Sequence, residues 1–233
     1  MASPPVVRFP IVFLIRLFGA AAAAMVIAWV VRFRGGMALF SDNKDLIFNV
    51  HPVLMVIGFI LVYGEELQEG GAPLCSVPCA LLGVVGVWAA IKFHNEKGID
   101  NFYSLHSWLG LASLISFSIQ GLPPSMACVL GVYIYALGIA TAVTGILEKA
   151  TFLQSNREIS RYSSEAFLVN LLGILLVVLG GFVVLAVITP RLARAARHSG
   201  TVPTRHRQLH FLLFAGIILM VDQFPIPMIS SST

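Results

Sequence analysis

Three of the six histidines, His51, His94 and His106, fall at the edges of long apolar runs. Imidazole titrates near neutrality and is the commonest nitrogen ligand for metals. His51 opens the second apolar run and His106 opens the fourth. Helices built on those runs point in the same direction through a bilayer, so both rings lie just inside one surface. Two imidazoles on adjacent parallel helices can grip one planar ligand between them. Paired axial histidines saturate a haem iron, which suits electron transfer and leaves no position for oxygen. The plainer alternative is that each ring is a boundary residue hydrogen-bonded to a loop. Ionisable groups at membrane depth are nonetheless functional candidates. The three cysteines, Cys75, Cys79 and Cys128, form no disulfide framework and no zinc spacing with paired histidines, and they read as small apolar residues.

The elements that carry these residues follow from composition. Of 233 residues, 58% are hydrophobic and 11% charged, against roughly 25% charged in an average soluble domain. The apolar residues are gathered into runs without period-2 alternation. A bilayer core about 30 Å thick needs roughly 20 apolar residues in a helix, and lipid leaves no backbone amide unpaired. The expected fold is therefore all-α, a polytopic membrane helix bundle with about six transmembrane helices. The runs are Phe9 to Val31 (interrupted by Arg16), Leu46 to Tyr63, Leu74 to Phe93, Leu105 to Leu122, Ser125 to Leu147 and Ala166 to Ile188. Pro73 and Pro78 sit in the first turn of the third run, where proline is tolerated. Pro123-Pro124 and Pro190 end the fourth and sixth. Phe211 to Val221 is too short to span, and the first run is too long for a cleavable signal.

A net charge of +4 would suggest nucleic acid in a soluble chain. Here five of the basic residues cluster from Arg191 to Arg207, as a solvated or headgroup flank would. Residues 1–190 read as the membrane domain and 191–233 as a basic, atypical tail. The segments joining the second to the third run and the fourth to the fifth lack Lys and Arg, so charge bias does not fix the orientation. Glycine and alanine along the second, fourth and fifth runs suit close helix packing.

Local strings sharpen the reading. His51-Pro52-Val53-Leu54-Met55 and Ser104-Leu105-His106-Ser107-Trp108 resemble the cytochrome b561 family, in the wording of its plant branch. Lys92-Phe93-His94-Asn95 and Thr144-Gly145-Ile146-Leu147-Glu148-Lys149 resemble it too, and the likeness covers most of residues 6 to 190. It implies a six-helix protein that passes electrons from cytosolic ascorbate through haem b to an acceptor on the far side. His51 and His106 would be the iron ligands of the haem on the non-cytoplasmic side. Asn101, Phe102, Tyr103, Ser104 and Glu148 would contact that haem. Phe93, His94 and Tyr103 would bind the outer substrate, monodehydroascorbate or a ferric chelate. Relatives further imply a vacuolar membrane and a homodimer.

The family's second haem takes a histidine from the start of helix three and another from the start of helix five. Here those stretches read Gln68-Glu69-Gly70-Gly71-Ala72-Pro73-Leu74-Cys75 and Leu122-Pro123-Pro124-Ser125-Met126-Ala127-Cys128, without histidine. Basic residues that follow helix two in the family are replaced by Glu65, Glu66 and Glu69. One haem site is expected, and two functional readings stay open. The first is an ascorbate-dependent transmembrane oxidoreductase. The second is a non-catalytic membrane scaffold that keeps at most one haem.

Overall fold

A computed structural model of the chain describes the backbone of residues 8–69, 76–118 and 124–199. The segment carrying Cys75, the end of the fourth run, the Phe211 to Val221 stretch and most of the basic tail lie outside the described residues. So does the side chain of Cys128.

Six helical rods make up the described chain: α1 (Arg8–Phe33), α2 (Lys44–Gln68), α3 (Ser76–Lys97), α4 (Leu105–Ser118), α5 (Pro124–Ser155) and α6 (Ser164–Ser199). The all-α expectation holds. Among the described residues, four helices are long and apolar enough to cross a bilayer: Pro10–Phe33, Lys44–Gln68, Val129–Ser155 and Ser164–Arg191. α4 is described over 14 residues, and α3 ends in the polar stretch Lys92 to Lys97. α1 shows why lipid is the solvent. Ile15, Val26 and Val30 are buried on one side while Phe13, Leu17 and Val31 are exposed on the other. A helix apolar all round is at home in a membrane, not in water.

α2 is not uniform. Asn43 caps it by accepting the Asp45 amide at 3.1 Å. The rod is α-helical over Lys44–Phe48, turns at Asn49, is α-helical again over Val50–Leu54, widens into a π-helix over Met55–Val62, and resumes as α-helix from Tyr63. Such wide turns concentrate near functional sites, and this one begins one turn beyond His51.

Packing is described within the unit Met1–Val187. Small residues set the helix spacing. A Cβ on Gly138 of α5 would lie 2.6 Å from the Phe59 ring of α2, and one on Gly58 of α2 would lie 2.8 Å from Leu82 of α3. α4 packs along α5, where Ser113 Oγ and Thr141 Oγ1 are 3.2 Å apart. α1 is tied to α6 at both levels of the bundle. Phe18 meets Phe182 with ring centroids 5.7 Å apart, and Glu165 accepts a hydrogen bond from the Trp29 indole at 2.8 Å. Glu165 also pairs with Arg34, whose guanidinium reaches Glu158 at 3.3 Å. Cys79 is buried, its thiol 3.9 Å from Glu66 Oε1.

Candidate functional site

His51 and His106 come together. The ring of His51, near the start of α2, and that of His106, in the first turn of α4, have centroids 5.9 Å apart in nearly perpendicular planes. Each is seated on a backbone carbonyl. His51 Nδ1 lies 3.1 Å from the Gly86 carbonyl of α3, and His106 Nδ1 lies 2.9 Å from the Thr141 carbonyl of α5. A carbonyl oxygen can only accept, so each neutral ring carries its proton on Nδ1. Nε2 of both rings is thereby the basic nitrogen. This is the arrangement that fixes metal-binding imidazoles in other proteins, where a second-shell acceptor selects the tautomer.

The separation suits a metal held from both sides. With metal–nitrogen bonds of about 2.0 Å, two opposed imidazoles place their ring centres about 6 Å apart. Perpendicular planes are compatible with this, because each ring can rotate about the shared axis. A glycine makes the second seat possible: a Cβ on Gly145 would fall 2.6 Å from His106 Cε1 and 2.8 Å from Nδ1. At Gly86, which seats His51, a Cβ would lie 2.6 Å from Met55.

An aromatic wall extends from the pair toward the surface. Phe48 lies 6.1 Å from the His51 ring and 5.0 Å from Phe93, which in turn lies 5.9 Å from His94. Phe93 is buried, so it forms part of this wall beneath the surface, while His94 is half-buried beside it. Lys149 sits on the same wall, its Nζ 4.2 Å from the centre of the Phe48 ring and 5.8 Å from that of Phe93. Opposite-charge pairs brace the rim: Lys44 with Glu96 at 3.2 Å, and Lys97 with Asp45 at 3.6 Å.

The loop joining α3 to α4 carries the remaining sequence-derived residues. Asn101 donates to Asn95 Oδ1 at 2.8 Å, holding the loop to the end of α3. Phe102 adopts φ 58°, a left-handed conformation that a large side chain rarely takes. Such strain persists only where neighbours impose it, and it clusters at functional sites. Tyr103 is exposed and donates to Glu148 Oε1 at 3.0 Å, joining the loop to α5. Partial burial, and then the Glu148 carboxylate, push the Tyr103 phenol above its ordinary value, so it keeps the proton it donates. Ser104 Oγ accepts the Ser107 amide at 3.3 Å and so caps α4 two residues before His106.

Sequence reasoning missed the two carbonyl seats, the Gly145 contact and the place of Lys149. Only Gly145 and Lys149 stood inside strings already singled out, and nothing in their types disclosed these contacts.

Comparison with known proteins shows what the chain as a whole is similar to. The family model for eukaryotic cytochrome b561 matches residues 74–127. Transmembrane ascorbate ferrireductase 2 of Arabidopsis thaliana is 50% identical over 220 residues, covering 82% of this chain and 96% of the relative. A probable ascorbate-specific transmembrane electron transporter 2 of Oryza sativa subsp. japonica is 40% identical, covering 78% of this chain and 89% of its own length. The plasma membrane ascorbate-dependent reductase CYBRD1 of Rattus norvegicus is 30% identical, covering 80% of this chain and 76% of the relative. With a relative 50% identical across 82% of this chain and 96% of its own length, the chain belongs to the cytochrome b561 family.

Proposed function

We propose that the protein is an ascorbate-dependent transmembrane oxidoreductase with haem b as its cofactor. In this reading cytosolic ascorbate gives up one electron to become the monodehydroascorbate radical. The electron is delivered on the non-cytoplasmic side to monodehydroascorbate or to a ferric chelate, which becomes ferrous. The observation that carries the reading is the paired seating of His51 and His106. Both rings are fixed in the tautomer that leaves Nε2 basic, at the separation expected for two ligands of one metal. Bound haem supplies a one-electron relay between ferric and ferrous iron.

The protein's own residues orient and enclose that site. The Gly86 and Thr141 carbonyls hold the imidazoles, Gly145 leaves room for one of them, and Asn101, Phe102, Tyr103, Ser104 and Glu148 form the loop and helix margin beside them. His94 and Tyr103, with Phe93 behind them, are the residues proposed to meet the acceptor. The vacuolar membrane and a homodimer are proposed for this chain on family likeness alone.

One haem per chain is part of the proposal. The far end of α2, at Gln68, lies about 25 Å beyond His51 at about 1.5 Å per residue. Around that half, Phe59, Tyr63, Phe117 and Tyr135 pack with ring centroids 5.2 to 6.2 Å apart. No histidine occurs between His106 and His198, and α3 carries its one histidine at the opposite end. Glu65 and Glu66 stand on that end of α2, with Arg16 paired to Glu65 at 3.4 Å, so it offers an anionic reductant little net positive charge. These features favour a second reading in which the outer centre exchanges electrons on its own side while flux across the membrane is slow. Reconstitution into vesicles, with ascorbate on one side and a ferric chelate on the other, separates the two. Brisk ascorbate-driven ferrous production supports the complete carrier. Chelate reduction only when a reductant shares the His94 side supports the half-carrier, and no haem-dependent reduction on either side contradicts both.

A further inference from the structure

Lys149 is a half-buried cation without a carboxylate partner within ion-pair distance among the described residues. Its neighbour Glu148 is engaged by Tyr103. Asp45, Glu158 and Glu165 act on the ammonium only at longer range, and Arg34 opposes them. What touches Nζ is aromatic: Phe48 at 4.2 Å, Phe152 at 5.5 Å and Phe93 at 5.8 Å. Cation–π contacts hold an ammonium in place but replace its lost hydration only in part. A group in this state is poised for an anion.

Its position says which anion. Lys149 follows Gly145 by one turn on the same face of α5, and Gly145 is the residue against which His106 packs. The Phe48 ring beneath Nζ is the ring that lies 6.1 Å from His51. The ammonium therefore stands one helical turn from the imidazole pair, on the side of the polar loop. A b-type haem carries two propionate carboxylates on one edge. We propose that Lys149 is the counter-ion for a haem propionate, and thereby a positioning residue that sets the potential of the centre. This rests on the paired-histidine reading above.

A carboxylate or enolate of an anionic acceptor offers the same chemistry, and the test distinguishes the two sources. The full-length protein in nanodiscs is compared with K149M and K149R by spectroelectrochemical titration and by haem content. Methionine keeps the stem over Phe48 and removes the charge. A unit charge at a distance of order 10 Å, in a medium of effective dielectric about 20, shifts an equilibrium by roughly tenfold. K149M should therefore lower the ferrous-to-ferric ratio at fixed poise by up to that factor, because an unpaired propionate favours ferric iron. K149R should stay near the wild-type value. Reconstituting the wild type with haem dimethyl ester, whose propionates are capped, should lower its haem retention to that of K149M, whereas K149M should retain haem and the dimethyl ester equally.

Unchanged potential and haem content in K149M would overturn the proposal. So would a change confined to KM for the acceptor, which would assign the cation to substrate instead. If K149M does not fold, wild type loaded with haem or with its dimethyl ester gives the comparison alone: equal haem retention would overturn the pairing. Failure of the paired-histidine reading has a separate signature, a wild-type protein that takes up no haem at all.

Discussion

The imidazole of His106 packs directly against the α-carbon of Gly145, so closely that a methyl group there would stand 2.6 Å from its Cε1. The contact is to the ring itself, which is also held by the Thr141 carbonyl at 2.9 Å. Neither side can yield without moving the ring proposed to hold the haem iron.

Gly145→Ala should therefore displace His106 and cost haem. The expected result is loss of most low-spin absorption at unchanged protein yield, measured as haem per chain. Gly110→Ala is the control on the facing helix. Its added methyl would meet Thr141 Cγ2 at 3.4 Å, an ordinary contact, so haem content should hold and helix propensity should improve slightly.

Much of this architecture is legible in the chain, and the part that is not has a physical cause. The apolar runs disclose the helices because lipid demands uninterrupted apolar surface. His51 and His106 stand out because they open two of those runs inside distinctive strings. Their seats do not, because the Gly86 and Thr141 carbonyls belong to the middle of helices, where a sequence gives no hint that a carbonyl will accept a second bond. That Phe93 is buried against Phe48 and beside Lys149 is not legible either, since a helix end shows its neighbours only once the helices are in place. The π-helix at Met55–Val62 has no visible cause in its residues. Arg34 and Glu165 are ordinary charges in the sequence and partners only across the fold.

That ion pair fastens the end of α1 to the start of α6. Glu165 is 8% exposed in its side chain and Arg34 14%, so the pair is largely shielded from solvent. Glu165→Gln removes the charge while leaving an acceptor for the Trp29 indole. Breaking a buried pair costs about 3–5 kcal/mol, and Arg34 retains Glu158, so a loss at the lower end of that range is expected. Thermal unfolding in detergent should show a clear fall in midpoint with haem content preserved below it. An unchanged midpoint would remove the clasp from the account.

The acceptor side is tested with His94. Because His94 faces the Phe93 ring and is not paired with His51 or His106 at ligand distance, His94→Ala should leave the haem spectrum intact and slow reduction of an external ferric chelate severalfold. Loss of haem in that variant would make His94 a ligand and not a substrate residue.

Tyr103 supplies a pH test. Its phenol is raised above the ordinary tyrosine value of about 10, so the folded state favours the protonated form. The Tyr103–Glu148 link should contribute stability below that ordinary value and lose it as pH rises through the raised one. Tyr103→Phe should remove this alkaline dependence, read as the pH profile of thermal unfolding, and an identical profile in the variant would contradict the assignment.

The most direct measurement is pyridine haemochrome stoichiometry, combined with low-temperature EPR, on the purified full-length protein and on His51→Ala and His106→Ala. The account predicts one haem b per chain in the parent, with the low-spin ferric signal of two imidazole ligands, and loss of that signal in each single variant. Two haems per chain, or a low-spin signal that survives either substitution, would contradict it.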